Sequence, residues 1–525
     1  MSLINFKVMS VHWTEWLNIS NVAVLFSAYL TINFGYQIIY YRFFHPLKDF
    51  PGPFWPSVTR LPVAWHNYWC TEIRFEENAV ARYGPIFRIS PTMLFVSTAS
   101  SLPSIYHRTA RKTPHYTLFS FGKEPSIFQM HEHADYVDRA KTISNIYTSR
   151  AHMPSTEETI DRNTDFWIHT LRERFVSKDL GFDLGKWVAL LTMDSAIETS
   201  FGRENSLKFV QHGRDVQGIQ KGLKDPLPTF GFMCRMHPFI SWLNTTWFGR
   251  VFEWFMLNWD PQMGRPIRFT DRILRKRLAS AYDNDGEKKT DMLQSFIDAR
   301  TPQGNQLSLA TLRGELLITI LAGTESTAAG ICTTLHQLMR YPSSLKKVLD
   351  EFEIGFKTGH LSRTPKYSEI LSYCPYYVAC VRESLRFYPS LSSIIPRYST
   401  SDPSAPLILH GRTIPPNTEV CCNAYITHRD QTMFGDDADE WNPDRWLDPE
   451  KARVLEKYNF SFGYGSRPCL GKPLGLMGVM KVVCIFLTNY EMNLADPMKL
   501  PKLTARADFG FWENFQVKLA TRSLK

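Results

Sequence analysis

The amino-acid sequence predicts a mainly α-helical protein with a small β region and a single N-terminal transmembrane helix. Three observations carry that prediction. From Ser155 to about Ser343 apolar residues recur at three- and four-residue spacing, the period of helices with one buried face, and polar loops interrupt the run at 283–286 and 301–304. Residues 83–97 hold two strand-like runs, Phe87-Arg88-Ile89 and Met93-Leu94-Phe95-Val96, parted by Ser90-Pro91-Thr92 as in a hairpin. Residues 16–41 contain no Asp, Glu, Lys or Arg.

Within that uncharged run, the stretch from Val22 to Tyr41 has about the 20 residues a bilayer-spanning helix needs. Asn18, Asn21, Asn33 and Gln37 weaken it and leave a helix lying in the membrane interface as the alternative. The run ends in bulky aromatic residues from Tyr40 to Phe44, unlike the small-residue cleavage site of a signal peptide. Arg42, His45 and Lys48 follow it while Lys7 and Glu15 precede it, which places the bulk of the chain on the cytosolic side. Pro46, Pro51 and Pro53 exclude a helix next and predict a stiff spacer. The expected division is therefore an anchor with its proline-containing linker at 1–49 and one large body at 50–525.

The net charge of +9 comes without a long basic run, so no nucleic acid is implied; an anionic membrane surface or an acidic redox partner suffices. The nine cysteines are scattered, with no Cys-x-x-Cys pair for zinc or dithiol chemistry, and fit a reducing compartment. Cys421 and Cys422 sit in a strand-like run, where neighbours point to opposite faces and pack.

Near the C-terminal end a glycine-rich loop carries a single cysteine into a helix: Phe462, Gly465, Arg467, Cys469 and Gly471 form the pattern Phe-x-x-Gly-x-Arg-x-Cys-x-Gly. Ordinary residue frequencies would give this pattern by chance in about one chain of this length in ten thousand. The alternative, a free cysteine buried in a turn, is the commoner fate of a lone Cys. These residues resemble the haem-binding loop of the cytochrome P450 family. The resemblance implies the P450 fold, a haem held by the Cys469 thiolate as its iron ligand, and Arg467 neutralising a haem propionate. Gly465 would permit a turn closed to other residues, Gly471 would leave room for the flat macrocycle, and the following helix would stabilise the thiolate.

A second motif lies in the apolar segment Leu316 to Gly330, where Glu325 and Ser326 put an acid and a hydroxyl in mid-helix, costly unless they have partners or a task. A helix interior with hydroxyls bonded back one turn is the plainer reading. By resemblance this is the distal helix over the oxygen-binding face: Ala322 and Gly323 give room, Glu325 relays protons and Ser326 holds a water. The family usually has threonine where this chain has Ser326.

Glu383 and Arg386 stand three apart on one helix face with apolar flanks, which predicts a buried, structural pair. By resemblance, Arg445 completes their network and Arg397 binds a haem propionate. Tyr136, Arg139 and Lys141 are further propionate candidates, and the usual tryptophan is missing. Family cavities imply substrate contacts from Leu118, Phe119 and Phe121, from Ile320, Ala322, Gly323 and Thr324, from Ser392, Ser393 and Ile394, and from Phe509, Phe511 and Trp512. Such walls favour an apolar ligand.

The run from Tyr40 to Pro53 resembles the anchor-to-body junction of fungal microsomal members. Phe182-Asp183-Leu184-Gly185-Lys186-Trp187, with Asp194 and Phe201-Gly202, resembles the pisatin-demethylase-like group of secondary metabolism. Together these imply a monooxygenase of the endoplasmic reticulum membrane, single-pass with its catalytic domain cytosolic. Its electrons would come from NADPH through NADPH-cytochrome P450 reductase, with cytochrome b5 as a second donor, and its substrate would be a terpenoid, polyketide or alkaloid. An oxygen-independent isomerase or dehydratase at the same haem, or a non-catalytic haem-binding sensor, is the alternative.

Overall fold

A computed structural model describes residues 19–119, 124–148, 152–249, 251, 264–279, 291–402 and 404–522. The loop expected at 283–286 and Phe121 lie outside the described residues. Helices predominate and strands are short. In chain order, the elements that position the site are the helices α1 (Ile19–Ile39), α2 (Leu61–Tyr68), α3 (Glu72–Tyr83), α4 (His133–Thr148), α5 (Leu227–Arg235), α6 (His237–Thr245), α7 (Leu309–Arg340), α8 (Pro375–Phe387) and α9 (Lys472–Asn489). The strands are β1 (Ile86–Ser90), β2 (Met93–Val96), β3 (Arg397–Tyr398), β4 (Glu419–Cys421), β5 (Lys502–Arg506) and β6 (Phe509–Glu513).

Helix α7 forms the axis of the molecule. It starts where the Ser308 side chain accepts a hydrogen bond from the Thr311 amide, satisfying one of the free donors of a helix start. Apolar side chains then clothe it on several faces: Leu316, Leu317, Ile331 and Leu335 are all fully buried, against the helix Leu184–Phe201, α8 and α9. A helix hydrophobic all round is a core helix or a membrane span. Here α7 and α9 are the helices long and apolar enough to cross a membrane among the described residues, and both are mostly covered by protein.

The N-terminal helix is not one of those two. Helix α1 forms over the expected stretch and holds no Asp, Glu, Lys or Arg. Its Val24, Leu25, Leu30 and Ile32 side chains are exposed. The proline stretch after it is non-helical and lies against the body: Leu47 and Phe50 are buried in a core cluster, and the Arg88 amide donates to the Pro51 carbonyl.

The expected hairpin forms, with Ile86 opposite Val96 and a bulge between Arg88 and Ser90. Strand β4 adds parallel to β2 and antiparallel to β3, giving the sheet order β1-β2-β4-β3. Alternation along β4 sends Cys421 into the cluster of Phe87, Ile89 and Phe95, and Cys422 into that of Leu94, Val96 and Tyr106. Strands β5 and β6 make a second hairpin near the C-terminus.

Helix α5 closes down on α2 and on the β5–β6 turn. A side chain at Gly231 would place its Cβ 2.0 Å from Asn67 Oδ1, so the contact demands glycine. Arg235 beside it is 1% exposed and grips Glu72 through two bonds, Nε to Oε1 at 2.8 Å and Nη2 to Oε2 at 2.7 Å.

Candidate active site

The cysteine loop is built by hydrogen bonds that only its glycines allow. Gly465 has φ +70°, and a Cβ there would lie 1.9 Å from the Tyr106 carbonyl oxygen. The Cys469 amide donates to the Phe462 carbonyl at 2.8 Å, which folds the loop back before α9 begins. Cys469 is an exposed residue although protein surrounds it on nearly every side, so it faces an internal space. Burial raises its thiol pKa, while the Gly471 and Lys472 amides and the Lys472 charge pull it back down. The first turns of α9, to Leu476, are only half-buried, whereas Met477 to Leu487 are buried.

Helix α7 is accessible in a similar way. Gly323 is exposed, a Cβ there would meet nothing within 4 Å, and Ala322 and Ser326 are half-buried beside it. Exposure of a cysteine and a glycine deep inside a densely packed core marks a slot for a bulky, flat group.

Three cations border this slot without a carboxylate in ion-pair distance among the described residues. Lys112 is buried, donates to the Phe128 carbonyl, and has its pKa driven well down by burial and by the Arg397 and Arg467 charges. Arg397 is buried and donates to the Tyr116 hydroxyl at 2.6 Å. Arg467 donates to the carbonyls of Met130, His131 and Glu132 and lies over the Tyr136 ring, with a pKa lowered to about 10 by burial and by Arg397. Uncompensated buried cations are costly, and anionic arms would relieve the cost. A haem fits: a cysteine for its iron, a slot for its plane and cations for its propionates.

Two expectations are corrected here. Arg139 is turned to Glu315 on α7, 2.8 Å away, and Lys141 is exposed beside Asp138, so neither joins the cation group. Lys112 and Tyr116 stand there instead, in a turn ahead of α4. A lone lysine in a loop carries no periodic signal, so the sequence did not mark it.

Behind the loop, Glu383 and Arg386 are both fully buried and make a fork, Nε to Oε2 and Nη2 to Oε1, each 2.8 Å. Arg445 adds a third bond at 3.0 Å, and the Trp446 indole and Asn442 amide fill the remaining sites of the carboxylate. Arg386 spends its other hydrogens on the carbonyls of His428, Ala438 and Glu440. The His428 imidazole, missed in the sequence, ties this network to the loop. Its Nε2 accepts from the Phe460 amide at 2.7 Å while Nδ1 donates to the Arg386 carbonyl, and burial with the Arg386 charge lowers its pKa to about 3, keeping it neutral for both tasks.

The distal residues are less tied. Ser326 donates its hydroxyl back to the Ala322 carbonyl at 2.5 Å, and Thr324 does the same to Ile320 at 2.8 Å. Glu325 is buried and its Oε1 has no hydrogen-bond partner; burial raises its pKa against the Lys224 and Arg506 charges. Acid and hydroxyl therefore do not touch.

Of the expected substrate contacts, Ile320, Thr324, Ile394 and Phe511 are buried, the last beneath Lys224 at 4.5 Å. Ser393 is corrected to a structural position, because its hydroxyl is taken by the buried Arg235. Phe119 closes a short 3-10 turn, and its side chain lies outside the described residues.

Comparison with known proteins agrees with this geometry. The family model for cytochrome P450 matches residues 56–511. The chain belongs to the cytochrome P450 family. Quiannulatic acid synthase of Emericella variicolor is 31% identical over 85% of this chain and 88% of its own length. The cytochrome P450 monooxygenase gsfF of Penicillium aethiopicum is 28% identical over 96% of this chain and 100% of its own length. The monooxygenase cicH of Emericella nidulans is 28% identical over 93% and 97% respectively. As a P450, the chain holds haem through a cysteine thiolate and receives electrons from a separate reductase.

Proposed function

We propose that this P450 inserts one oxygen atom from O2 into an apolar small molecule of fungal secondary metabolism, a terpenoid, polyketide or alkaloid, some of them mycotoxin precursors. The observation that carries the reading is an accessible Cys469 just ahead of α9 and an accessible Ala322–Gly323 face on α7, with Lys112, Arg397 and Arg467 near the cysteine loop and free of carboxylate partners among the described residues. The relatives, fungal P450s that include a synthase of quiannulatic acid, support the metabolic setting.

Bound in the slot, the haem supplies reduction and cleavage of dioxygen, with the overall balance RH + O2 + NADPH + H+ giving ROH + H2O + NADP+. The chain's residues do the rest. Cys469 would bind the iron, its thiol helped toward the thiolate by the Gly471 and Lys472 amides. Lys112, Arg397 and Arg467 would hold the propionates, and Phe462, Gly465 and Gly471 shape the loop. Glu383, Arg386 and Arg445 keep that loop in place through His428. Ala322 and Gly323 leave room for oxygen and substrate, Ile320, Thr324, Ile394 and Phe511 wall the cavity, and Glu325 with Ser326 moves protons at the distal helix.

The chain sits in the endoplasmic reticulum membrane through α1, with the body cytosolic beside its reductase and, as second donor, cytochrome b5. The exposed apolar side chains of α1 support this. So do its polar groups, which bond within the helix: Gln37 to Asn33 at 2.9 Å and Thr31 to the Ser27 carbonyl at 2.8 Å. Exposed Phe54, Trp55, Trp65, Trp69, Phe239 and Trp242 extend the apolar surface.

The test is mass spectrometry of metabolites from a host making this chain and its reductase, fed candidate scaffolds under 18O2. A product heavier by one labelled oxygen atom is expected. A product isomeric with its scaffold, or lighter by one water, would instead establish the oxygen-independent alternative.

A further inference from the structure

Glu315 takes no part in the scheme above, yet it is fully buried on the same face of α7 as the slot. At about 100° per residue, Glu315 falls about 20° from Ala322, with Ser326 and Thr319 about 40° and 60° round on the same side; Glu325 falls about 60° on the other. The accessible strip of Thr319, Ala322, Gly323 and Ser326 thus continues down the helix to Glu315, two turns before Ala322.

The Glu315 carboxylate is divided. Oε1 accepts from Arg139 and from the Ile127 amide, both at 2.8 Å, while Oε2 is buried with no hydrogen-bond partner. Arg139 reaches outward to a surface groove of about 690 Å³, whose lining includes Gln129, Glu132, Asp135 and Asp138. On the inner side, the Tyr147 hydroxyl meets the Thr319 hydroxyl at 2.6 Å, and Thr319 bonds to the Glu315 carbonyl. One carboxylate oxygen is thus linked to the groove through Arg139, while the other is buried and unpartnered on the helix face that carries the strip.

We propose that Glu315 is a second acid of the distal helix, loading protons from the groove past Arg139 and releasing them from Oε2 along the Thr319–Ala322 strip toward the oxygen site. This rests on the oxygen-inserting reading above. Each turnover takes one proton from solution beyond that carried by NADPH; Glu315 gives up one proton and regains one from the groove, so it ends unchanged. Burial pushes its pKa up to about 7 against the opposing Arg139 charge, which keeps both forms populated near neutrality. The Tyr147 phenol, with a raised pKa, also faces it, and Glu124, held at the foot of α7 by Ser308 and Thr311, acts on Arg139.

The experiment is NADPH oxidation by the haem-loaded full chain with its reductase, followed across the neutral pH range. The parent rate should fall as pH rises through about 7, because the protonated donor is lost. Glu315→Gln should lower the rate by about tenfold or more and flatten that limb, and Glu315→Asp should restore it. Absence of O2-dependent oxidation in the parent would defeat the oxygen-inserting reading itself, and this proposal with it. Parent rate and parent limb in Glu315→Gln, or equal losses in both variants with the limb unchanged, would overturn the proton route and leave a clamp for Arg139. Should Glu315→Gln fail to hold haem, Thr319→Val decides. It leaves the Arg139 pair intact, and slowed oxidation with a thiolate-type carbon-monoxide spectrum supports the route, whereas the parent rate overturns it.

Discussion

The two sides of the slot treat their buried carboxylates in opposite ways. On the cysteine side, Glu383 receives five hydrogen bonds and His428 uses both ring nitrogens. On the distal side, Glu325 Oε1 and Glu315 Oε2 are buried and unpartnered. A saturated network has one arrangement and fixes a ligand; unpartnered carboxylates are costly, and their free oxygens suit proton exchange. The contrast sets a side held rigid by paired groups against a side whose carboxylates keep a free oxygen.

The most severe way to probe the contrast is at the ligand. Cys469→Ser keeps the volume and removes the thiolate, so the red-shifted Soret band of the ferrous carbon-monoxide complex should vanish entirely. Retention of that band would dismiss Cys469 as ligand and the rigid side with it.

Next comes the network. Glu383→Ala leaves Arg386 buried without its partner, a loss of about 3–5 kcal/mol. Denaturant unfolding with haem absorbance as probe should show haem release at much lower denaturant. A midpoint within error of the parent would mean the fork is not what holds the loop.

A gentler probe is pH. His428 titrates at about 3 in the fold and near 6.5 unfolded, so between these values only the unfolded chain takes up its proton. Its contribution is complete above about 6.5 and falls by about 1.4 kcal/mol per pH unit on acidification. The stability difference between parent and His428→Gln should therefore shrink as pH drops, and a constant difference would remove His428 from the clamp.

Lys112→Met sharpens the comparison at the border of the slot. Removing one of three mutually repelling cations should stabilise the haem-free chain, while loss of a charged hydrogen bond of about 1.5–3 kcal/mol should speed haem transfer to apomyoglobin by roughly tenfold or more. Unchanged transfer would free Lys112 from any propionate role.

The smallest effect is expected at Ser326. Its hydroxyl already bonds to the Ala322 carbonyl, so Ser326→Ala should lower product per NADPH by less than about tenfold, and Glu325→Gln by more. Equal, large losses from both would show that the serine leaves its helix bond during turnover.

Several features were legible because they are local. The spacing around Cys469, the three-residue step from Glu383 to Arg386, the hairpin at Ser90-Pro91-Thr92 and the long apolar segment through Leu316 each write their geometry into adjacent residues. Helix α1 also formed where the uncharged run predicted.

Other roles depend on residues far apart in the chain. Ser393 became structural because Arg235, 158 residues away, takes its hydroxyl. Arg139 stands apart from the cation group because Glu315, 176 residues away, pairs with it. Lys112 reached the slot, and His428 reached the Phe460 amide, by loop paths with no periodicity. By itself the sequence determined which helices and which cysteine loop exist, since hydrophobic period, glycine torsion and motif spacing act within a few residues. Which cation stands beside the cysteine loop, which hydroxyl is already bonded and which acid keeps a free oxygen were decided only by tertiary packing, because a buried charge or hydroxyl is settled by the partner that folding brings to it.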